Sequence, residues 1–183
     1  EQQEGFGIYQ QTVKNGRRWS TSTAYLEPAM ARPNLKVETE ALITRILFEK
    51  DRAVGIELIQ NGETKQLRAR KEVILACGTI GTPQVLMLSG IGDADYLRRF
   101  GIPVVQHSPG VGQNLQDHFD INIQYACTQP VTAYAQVQNP MRTLSVGLQY
   151  ILFGTGPGRG QGLETGAFLK SRPDLEIPDL QLH

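Results

Sequence analysis

The chain has 183 residues, the length of one domain or of one and a fraction. Basic and acidic residues number 18 each, so the net charge at pH 7 is zero and nothing recommends a nucleic-acid partner. Hydrophobic residues make up 40% of the chain, yet no apolar run approaches the ~18 residues of a membrane span. The composition predicts a globular protein with no transmembrane segment in this stretch.

The cysteines and the amino terminus add two expectations. Cys77 and Cys127 fit neither the spacing of a metal site nor a dense disulfide scaffold, which favours a reducing compartment. The first residues, Glu1 to Gly5, contain neither an initiator methionine nor the basic and apolar segments of a signal peptide. We therefore expect a piece of a longer chain.

The first forty residues carry few signals of regular structure. Residues 5–25 are polar and glycine-bearing without a sustained period, so we predict a loop. Residues 22–31 favour a short helix, which Pro28 interrupts and Pro33 ends.

A three-stranded meander is predicted next, over residues 41–49, 53–60 and 63–70. Asn61 and Gly62 stand between the second and third strands, and both residue types tolerate the positive φ of a tight hairpin turn. We therefore expect an antiparallel hairpin at this point.

A short apolar run, residues 72–76, predicts a strand buried on both faces of a parallel sheet. Thr82 and Pro83 have the form of an N-cap followed by proline at the first helical position, which predicts a helix over residues 83–89. Between them, the step from strand to Gly78 is where a βα unit brings backbone N–H groups close to a ligand. Tight strand–helix packing without a ligand is the open alternative.

The second half of the chain predicts two further helices. Asp93 caps a short helix that runs to Arg99, and Gly101 ends it in the left-handed conformation. Residues 141–153 have an amphipathic helical pattern.

The remaining segments after Gly101 predict loops and one strand. Prolines and glycines over residues 102–112 predict a loop, and alternation over residues 119–127 predicts a strand. Residues 154–162, which hold five glycines, predict a second loop.

The string Gly78-Thr-Ile-Gly-Thr-Pro-Gln-Val-Leu-Met-Leu-Ser-Gly-Ile-Gly92 resembles the second signature of the glucose–methanol–choline (GMC) family of flavin-dependent oxidoreductases. The similarity is to members that act on choline or other alcohols, and it extends over nearly the entire chain. Further matching segments are Gly16-Arg17, Tyr25-Leu26-Glu27-Pro28-Ala29, Arg32-Pro33-Asn34-Leu35, Arg52-Ala53-Val54-Gly55-Ile56-Glu57 and Pro109-Gly-Val-Gly-Gln-Asn-Leu-Gln-Asp-His118.

The resemblance implies an α/β (α+β) fold, part of a Rossmann-like FAD-binding domain with a β-meander plus the start of an antiparallel-sheet substrate domain. We expect residues 1–118 to be the later part of the FAD domain and residues 119–183 the truncated beginning of the substrate domain. Neither the family's Gly-x-Gly-x-x-Gly fingerprint nor its carboxy-terminal catalytic histidine occurs here. The chain is thus expected to be a middle fragment, inactive and weak in FAD binding without the missing parts of its own chain.

The same resemblance implies contacts with the cofactor. The backbone of Ile43, where valine is more usual, would meet the adenine, and Ala76, Cys77 and Gly78 would approach the ribose side. We expect the Cys77 thiol to be buried as a small hydrophobe. Ile43 is also compatible with a plain core position.

Glu164 is the candidate substrate residue. In choline-acting members a glutamate in a similar Glu-x-Gly-x-Phe setting lies by the active site, where a carboxylate can pair with a quaternary ammonium group. The Ser-Asn commonly found before it is replaced by Gly160-Gln161, so a structural or solvated glutamate remains an open alternative.

His118 is not predicted to be a proton acceptor. The resemblance places the run from Asn114 to His118 at a junction between domains, with Asp117 and Asn114 available to brace the backbone. No catalytic residue and no metal ligand is predicted in this chain.

The resemblance implies an FAD-dependent oxidoreductase that acts on the CH–OH group of a small-molecule alcohol such as choline and transfers hydride to flavin. Its location would be cytoplasmic, with membrane association of the intact enzyme left open. The alternative is a catalytically inert nucleotide- or protein-binding module derived from the same fold. That alternative predicts a complete core, because a self-sufficient module must cover its own apolar faces.

Overall fold

The computed structural model of the chain describes residues 3–129, 132–159 and 165–183. The chain divides into two compact units, one made of residues 37–121 and one made of residues 1–36 together with 122–183. Among the described residues, no helix is long and apolar enough to cross a membrane.

The first strand, β1 (Gly5–Ile8), pairs antiparallel with residues 165–169, so the predicted loop over residues 5–25 is wrong at its start. The partner strand lies about 160 residues away in sequence, so no local hydrophobic pattern around residues 5–8 indicates the pairing. Two more short strands, β2 (Val13–Lys14) and β3 (Arg17–Arg18), form a hairpin in the same segment.

The predicted short helix after this hairpin is confirmed. A π-helical turn over Ser22–Leu26 leads directly into α1 (Glu27–Ala29). Pro28 lies in the first turn of α1, where its missing N–H has no intrahelical partner to lose.

The predicted meander is confirmed. Strands β4 (Ala41–Glu49), β5 (Arg52–Gln60) and β6 (Glu63–Arg68) form an antiparallel sheet in the order β4-β5-β6. The turn between β5 and β6 has φ of 54° at Asn61 and 78° at Gly62, as a tight hairpin requires.

The predicted strand over residues 72–76 is wrong. This segment is not in a strand, and Ile74 is 78% exposed. A doubly buried parallel strand needs hydrogen-bonded neighbours, and in the described part of the chain none pairs with this segment.

The following helix, α2 (Gly78–Leu88), begins five residues before the predicted start. Thr82 and Pro83 therefore lie inside the helix rather than at its cap, because the left-handed Gly78 (φ 79°) already turns the chain into the helix.

The short helix α3 (Ala94–Arg99) confirms its predicted boundaries. Asp93 Oδ1 accepts a hydrogen bond from Tyr96 N–H at 2.8 Å, and Gly101 is left-handed with φ 68°. On either side of α3, the two-residue strands β7 (Ile91–Gly92) and β8 (Gln106–His107) pair in parallel, which the predicted loop over 102–112 did not include.

In the other unit, α4 (Ala133–Val137) precedes α5 (Pro140–Phe153), which confirms the predicted amphipathic helix. Asn139 Oδ1 caps α5 by accepting from Met141 N–H at 2.9 Å. The predicted strand over residues 119–127 is wrong: this segment belongs to no strand, because alternation yields a strand only where a partner supplies hydrogen bonds.

The last two strands were not predicted. Strand β9 (Thr165–Leu169) lies between β1 and β10 (Leu180–Leu182) in an antiparallel sheet. Ala167 at its centre is 1% exposed. Asp179, beside β10, accepts hydrogen bonds from the Ser171 backbone N–H at 2.8 Å and from Ser171 Oγ–H at 2.6 Å.

Replacing Asp179 by asparagine is expected to destabilise the β9–β10 connection at neutral pH. Hydrogen bonds from the Ser171 side chain and backbone lower the pKa of Asp179. A carboxylate with a lowered folded-state pKa stabilises the fold above its unfolded pKa of about 3.9, and the effect is lost as the pH falls through the folded value. The thermal unfolding temperatures of D179N and of the native protein should therefore differ at neutral pH and become equal in acid. The variant Asp174→Asn, in an exposed pair with Arg172 at 3.7 Å, is the matched control and should show little change.

The buried apolar side chains are few among the described residues. Leu58 and Leu97 are 2% and 0% exposed, whereas Phe119 is 89% and Phe6 82% exposed. The two units thus present large apolar side chains to solvent, which disfavours the alternative of a self-sufficient binding module.

Candidate cofactor site

The predicted cofactor contacts fall on two elements of the unit formed by residues 37–121. Ile43 lies on β4, and Ala76, Cys77 and Gly78 lead into α2. These elements pack together through the other end of the helix, where Ser89 Oγ accepts a hydrogen bond from Ile46 N–H at 2.8 Å. The same hydroxyl donates to the Val85 carbonyl oxygen at 2.6 Å. Ser89 is buried, so one side chain ties the strand to the helix.

Gly78 has an open surrounding. Its φ is 79°, and apart from its chain neighbours and its own helix backbone, a Cβ placed there would meet no heavy atom of the described residues within 4 Å. Ala76, Cys77 and Gly78 are all exposed, and Gly78 begins a helix of 11 residues. The first N–H groups of a helix have no intrahelical partner and favour anionic or polar ligand atoms. A ligand can therefore approach this backbone closely.

The expected burial of Cys77 is wrong. The thiol is free and the residue is exposed, because the extended segment before it has no neighbouring strand in the described part of the chain. The Cys77 backbone N–H donates to Thr82 Oγ1 at 3.2 Å, so it is already partnered. The first N–H groups of α2, from Gly78 onward, remain as donors for a ligand.

An open groove of about 930 Å³ runs along α2, from Thr79 to Met87. It is lined on the helix side by Thr79, Pro83 and Gln84, and on the other side by a loop that includes Gly112 and Asn114. Both loop residues have positive φ, 76° and 56°. This groove was not predicted from the sequence, although the glycines and the asparagine of that loop indicate an unusual backbone.

Ile43 is half-buried on a strand at the edge of its sheet. Because β4 pairs only with β5 in that sheet, its other backbone edge is not used by a strand of the meander. Alternating N–H and C=O groups of such an edge match the donors and acceptors on the edge of a nucleobase. The position is compatible with both a core role and a backbone contact to adenine.

The end of the signature, from Ser89 to Gly92, has a structural explanation. The Gly90 carbonyl oxygen accepts hydrogen bonds from Val105 N–H at 2.8 Å and Gln106 N–H at 3.1 Å. The Gly92 carbonyl oxygen accepts from Ser108 N–H at 2.8 Å. The carbonyl groups of these glycines therefore join the end of α2 to the following loop.

The two histidines of this unit, His107 and His118, take part in local hydrogen bonds, the first through its ring and the second through its backbone. His107 Nδ1 accepts a hydrogen bond from Ala94 N–H at 3.1 Å, at the start of α3. The His118 backbone N–H donates to Asp117 Oδ1 at 2.8 Å, so Asp117 braces the backbone. Glu164, the predicted substrate residue, lies outside the described residues, and the strand that follows it, β9, is described.

Comparison with known proteins gives a family match. The family model described as GMC oxidoreductase matches residues 1–120. Mitochondrial choline dehydrogenase of Homo sapiens is 53% identical over 182 residues, which cover 100% of this chain and 30% of that protein. Oxygen-dependent choline dehydrogenase of Brucella anthropi is 48% identical over 183 residues, 100% of this chain and 33% of that protein.

A solved structure supports the same assignment. The FAD-dependent oxidoreductase from Chaetomium thermophilum superimposes with a TM-score of 0.73 at 28% sequence identity, over 84% of this chain and 28% of that one. This agreement confirms the predicted fold class of mixed helices and antiparallel sheets within an FAD-binding fold. The chain spans about a third of the length of the curated relatives that it matches. With its matched residues 1–120 and its resemblance to these proteins, the chain belongs to the GMC oxidoreductase family.

Proposed function

We propose that this chain forms part of the FAD site of an oxidoreductase that acts on the CH–OH group of an alcohol such as choline. The observation that carries the proposal is the open, left-handed Gly78 at the start of α2, where a backbone can closely approach a nucleotide. The relatives named choline dehydrogenase support the substrate class. The exposed Ala76, Cys77 and Gly78 fit a cofactor in contact with their backbone.

When bound, FAD would supply the redox chemistry by taking the hydride that the alcohol loses on becoming an aldehyde, while the hydroxyl proton would pass to a base outside this chain. This chain contributes binding and orientation. Residues 76–78 would face the ribose side, and the first N–H groups of α2 would donate to polar atoms of the cofactor. The backbone of Ile43 would hydrogen-bond the adenine. No residue of this chain is assigned the role of proton acceptor.

Glu164 is proposed to bind the substrate headgroup. An ionised carboxylate attracts a quaternary ammonium group, and the attraction grows as water is excluded from the site. This role orients choline with its hydroxymethyl end free to react.

Anaerobic mixing of the full-length enzyme with choline tests the proposed function. We expect the purified enzyme to carry FAD, choline to bleach the oxidised flavin spectrum, and an aldehyde to appear in equal amount. Benzyl alcohol serves as the comparison substrate. An enzyme that carries no flavin, or whose flavin neither alcohol reduces, would overturn the proposal.

Replacing Glu164 by glutamine in the full-length enzyme is expected to lower kcat/KM for choline about 10- to 100-fold, mainly through a higher KM. Each factor of ten corresponds to about 1.4 kcal/mol of lost attraction. The neutral isostere 3,3-dimethylbutan-1-ol, which lacks the positive charge, should be oxidised with unchanged kcat/KM by both proteins. Equal losses on both alcohols would show instead that Glu164 is structural.

A further inference from the structure

We infer that Glu57 is a positioning residue for the cofactor, because its carboxylate holds the β-bulge at Thr44 and so fixes the backbone of Ile43 beside it. The inference rests on the proposed contact between Ile43 and adenine. It assigns a function to a charged cluster on the meander, outside the string from Gly78 to Gly92.

The bulge lies directly after Ile43. Ile43 is opposite Leu58 and Arg45 is opposite Glu57, so Thr44 is an extra residue on β4 without a partner on β5. A bulge of this kind bends the strand and redirects the neighbouring backbone groups. The direction of the Ile43 backbone therefore depends on what holds Thr44.

Glu57 holds it from β5. Thr44 Oγ1–H lies 3.2 Å from Glu57 Oε1 and 3.1 Å from the Glu57 carbonyl oxygen. Arg45, the residue after the bulge, donates from Nε to Glu57 Oε1 at 3.0 Å and from Nη2 to Oε2 at 2.9 Å. Gln66 on β6 adds a bond to Oε2 at 3.2 Å.

The cluster keeps one charge state at neutral pH. Hydrogen bonds from Arg45 and then from Gln66 lower the pKa of Glu57. The Glu57 side chain is 16% exposed, whereas that of Arg45 is 53% exposed. The Glu57 carboxylate accepts hydrogen bonds from Thr44 and from Arg45, so it is held in place and largely shielded from solvent. The two parallel hydrogen bonds from Arg45 also fix its orientation.

A second constraint acts on the same strand. Two residues beyond the bulge cluster, Ile46 N–H is bonded to the buried Ser89 hydroxyl. Strand β4 is thus fixed on its sheet side by Glu57 and on its helix side by Ser89. The backbone of Ile43 continues from this doubly fixed segment, as a rigid contact to a base requires.

The test compares FAD with FMN, a flavin that lacks the AMP half of FAD and with it the adenine. The full-length enzyme is freed of flavin, and dissociation constants for both ligands are measured by flavin fluorescence. For Glu57→Gln we expect the constant for FAD to rise about tenfold while that for FMN stays within about twofold. If Glu57 were only structural, the substitution would weaken the binding of FAD and of FMN equally. The ratio of the two dissociation constants is therefore the decisive quantity.

Glu49→Gln is the matched control. Glu49 on β4 pairs with Arg68 on β6 at 2.7 Å, but both side chains are exposed and away from the bulge. This variant should leave the ratio unchanged. If Glu57→Gln does not yield folded enzyme, Thr44→Val removes only the hydroxyl bonds, keeps the branched shape, and should shift the ratio in the same direction.

The outcomes separate the inference from the proposed function. A native enzyme that binds FAD no better than FMN would contradict the adenine contact of Ile43, and the inference would fail with it. A native enzyme that prefers FAD, together with Glu57 and Thr44 variants that keep this preference, would overturn the inference alone.

Discussion

Replacing Gly90 by alanine is expected to lower the free energy of unfolding of the unit formed by residues 37–121 by about 3–5 kcal/mol. Gly90 has φ 86°, and an added Cβ would lie within van der Waals overlap of the Pro103 carbonyl oxygen. Backbone cannot rotate away as a side-chain tip can. The loop must shift, and the bonds from Val105 and Gln106 to the Gly90 carbonyl are strained or lost.

The measurement is hydrogen exchange of the full-length enzyme, followed at the amides of residues 105 and 106, together with its thermal unfolding temperature. Gly101→Ala is the control, because Gly101 has φ 68° but no heavy atom within 4 Å of an added Cβ. Gly101→Ala is expected to lose only the about 1 kcal/mol of stability that a Cβ costs in the left-handed conformation. If the two variants lose equal stability, the contact with Pro103 is not what requires glycine in this signature.

The elements that the sequence predicts correctly are those whose causes are local. The hairpin between β5 and β6 follows from Asn61 and Gly62, and the start of α3 follows from its cap residue Asp93. Each cause lies within a few residues of its effect. A turn residue or cap side chain acts on the nearest backbone groups whatever the rest of the chain does.

The elements that were missed depend on distant partners. Strand β1 exists because β9 pairs with it, and the apolar run at 72–76 is not a strand because no neighbour is described beside it. The observed start of α2 differs from the predicted one for a local reason. The Thr82-Pro83 pair fits a helix start, yet the left-handed Gly78 supplies an earlier one.

The candidate site divides in the same way. Its residues on β4 and at the start of α2 were named from a family resemblance, and their surroundings were not. The link between Ser89 and Ile46, the bulge at Thr44 and the groove along α2 are properties of packing between segments far apart in sequence. Pattern alone cannot place a side chain against a backbone forty residues away.

The second large effect is expected at Gly78, where alanine should raise the dissociation constant for FAD about 10- to 100-fold in the full-length enzyme. Apart from its chain neighbours and its own helix backbone, a Cβ at Gly78 meets no atom of the described residues within 4 Å, so the space it would fill is open to a ligand. Overlap with a closely approaching cofactor costs about 1–3 kcal/mol, which corresponds to that change in affinity. Flavin content after purification and fluorescence titration of the flavin-free enzyme provide the measurement.

Gly101→Ala is again the control, since it shares the left-handed backbone and the open surroundings but lies beyond α3. Both variants should lose similar thermal stability without flavin, because both place a Cβ on a left-handed residue. Only Gly78→Ala should lose FAD. If its affinity matches that of Gly101→Ala, the backbone of residues 76–78 does not contact the cofactor, and the open start of α2 serves strand–helix packing alone.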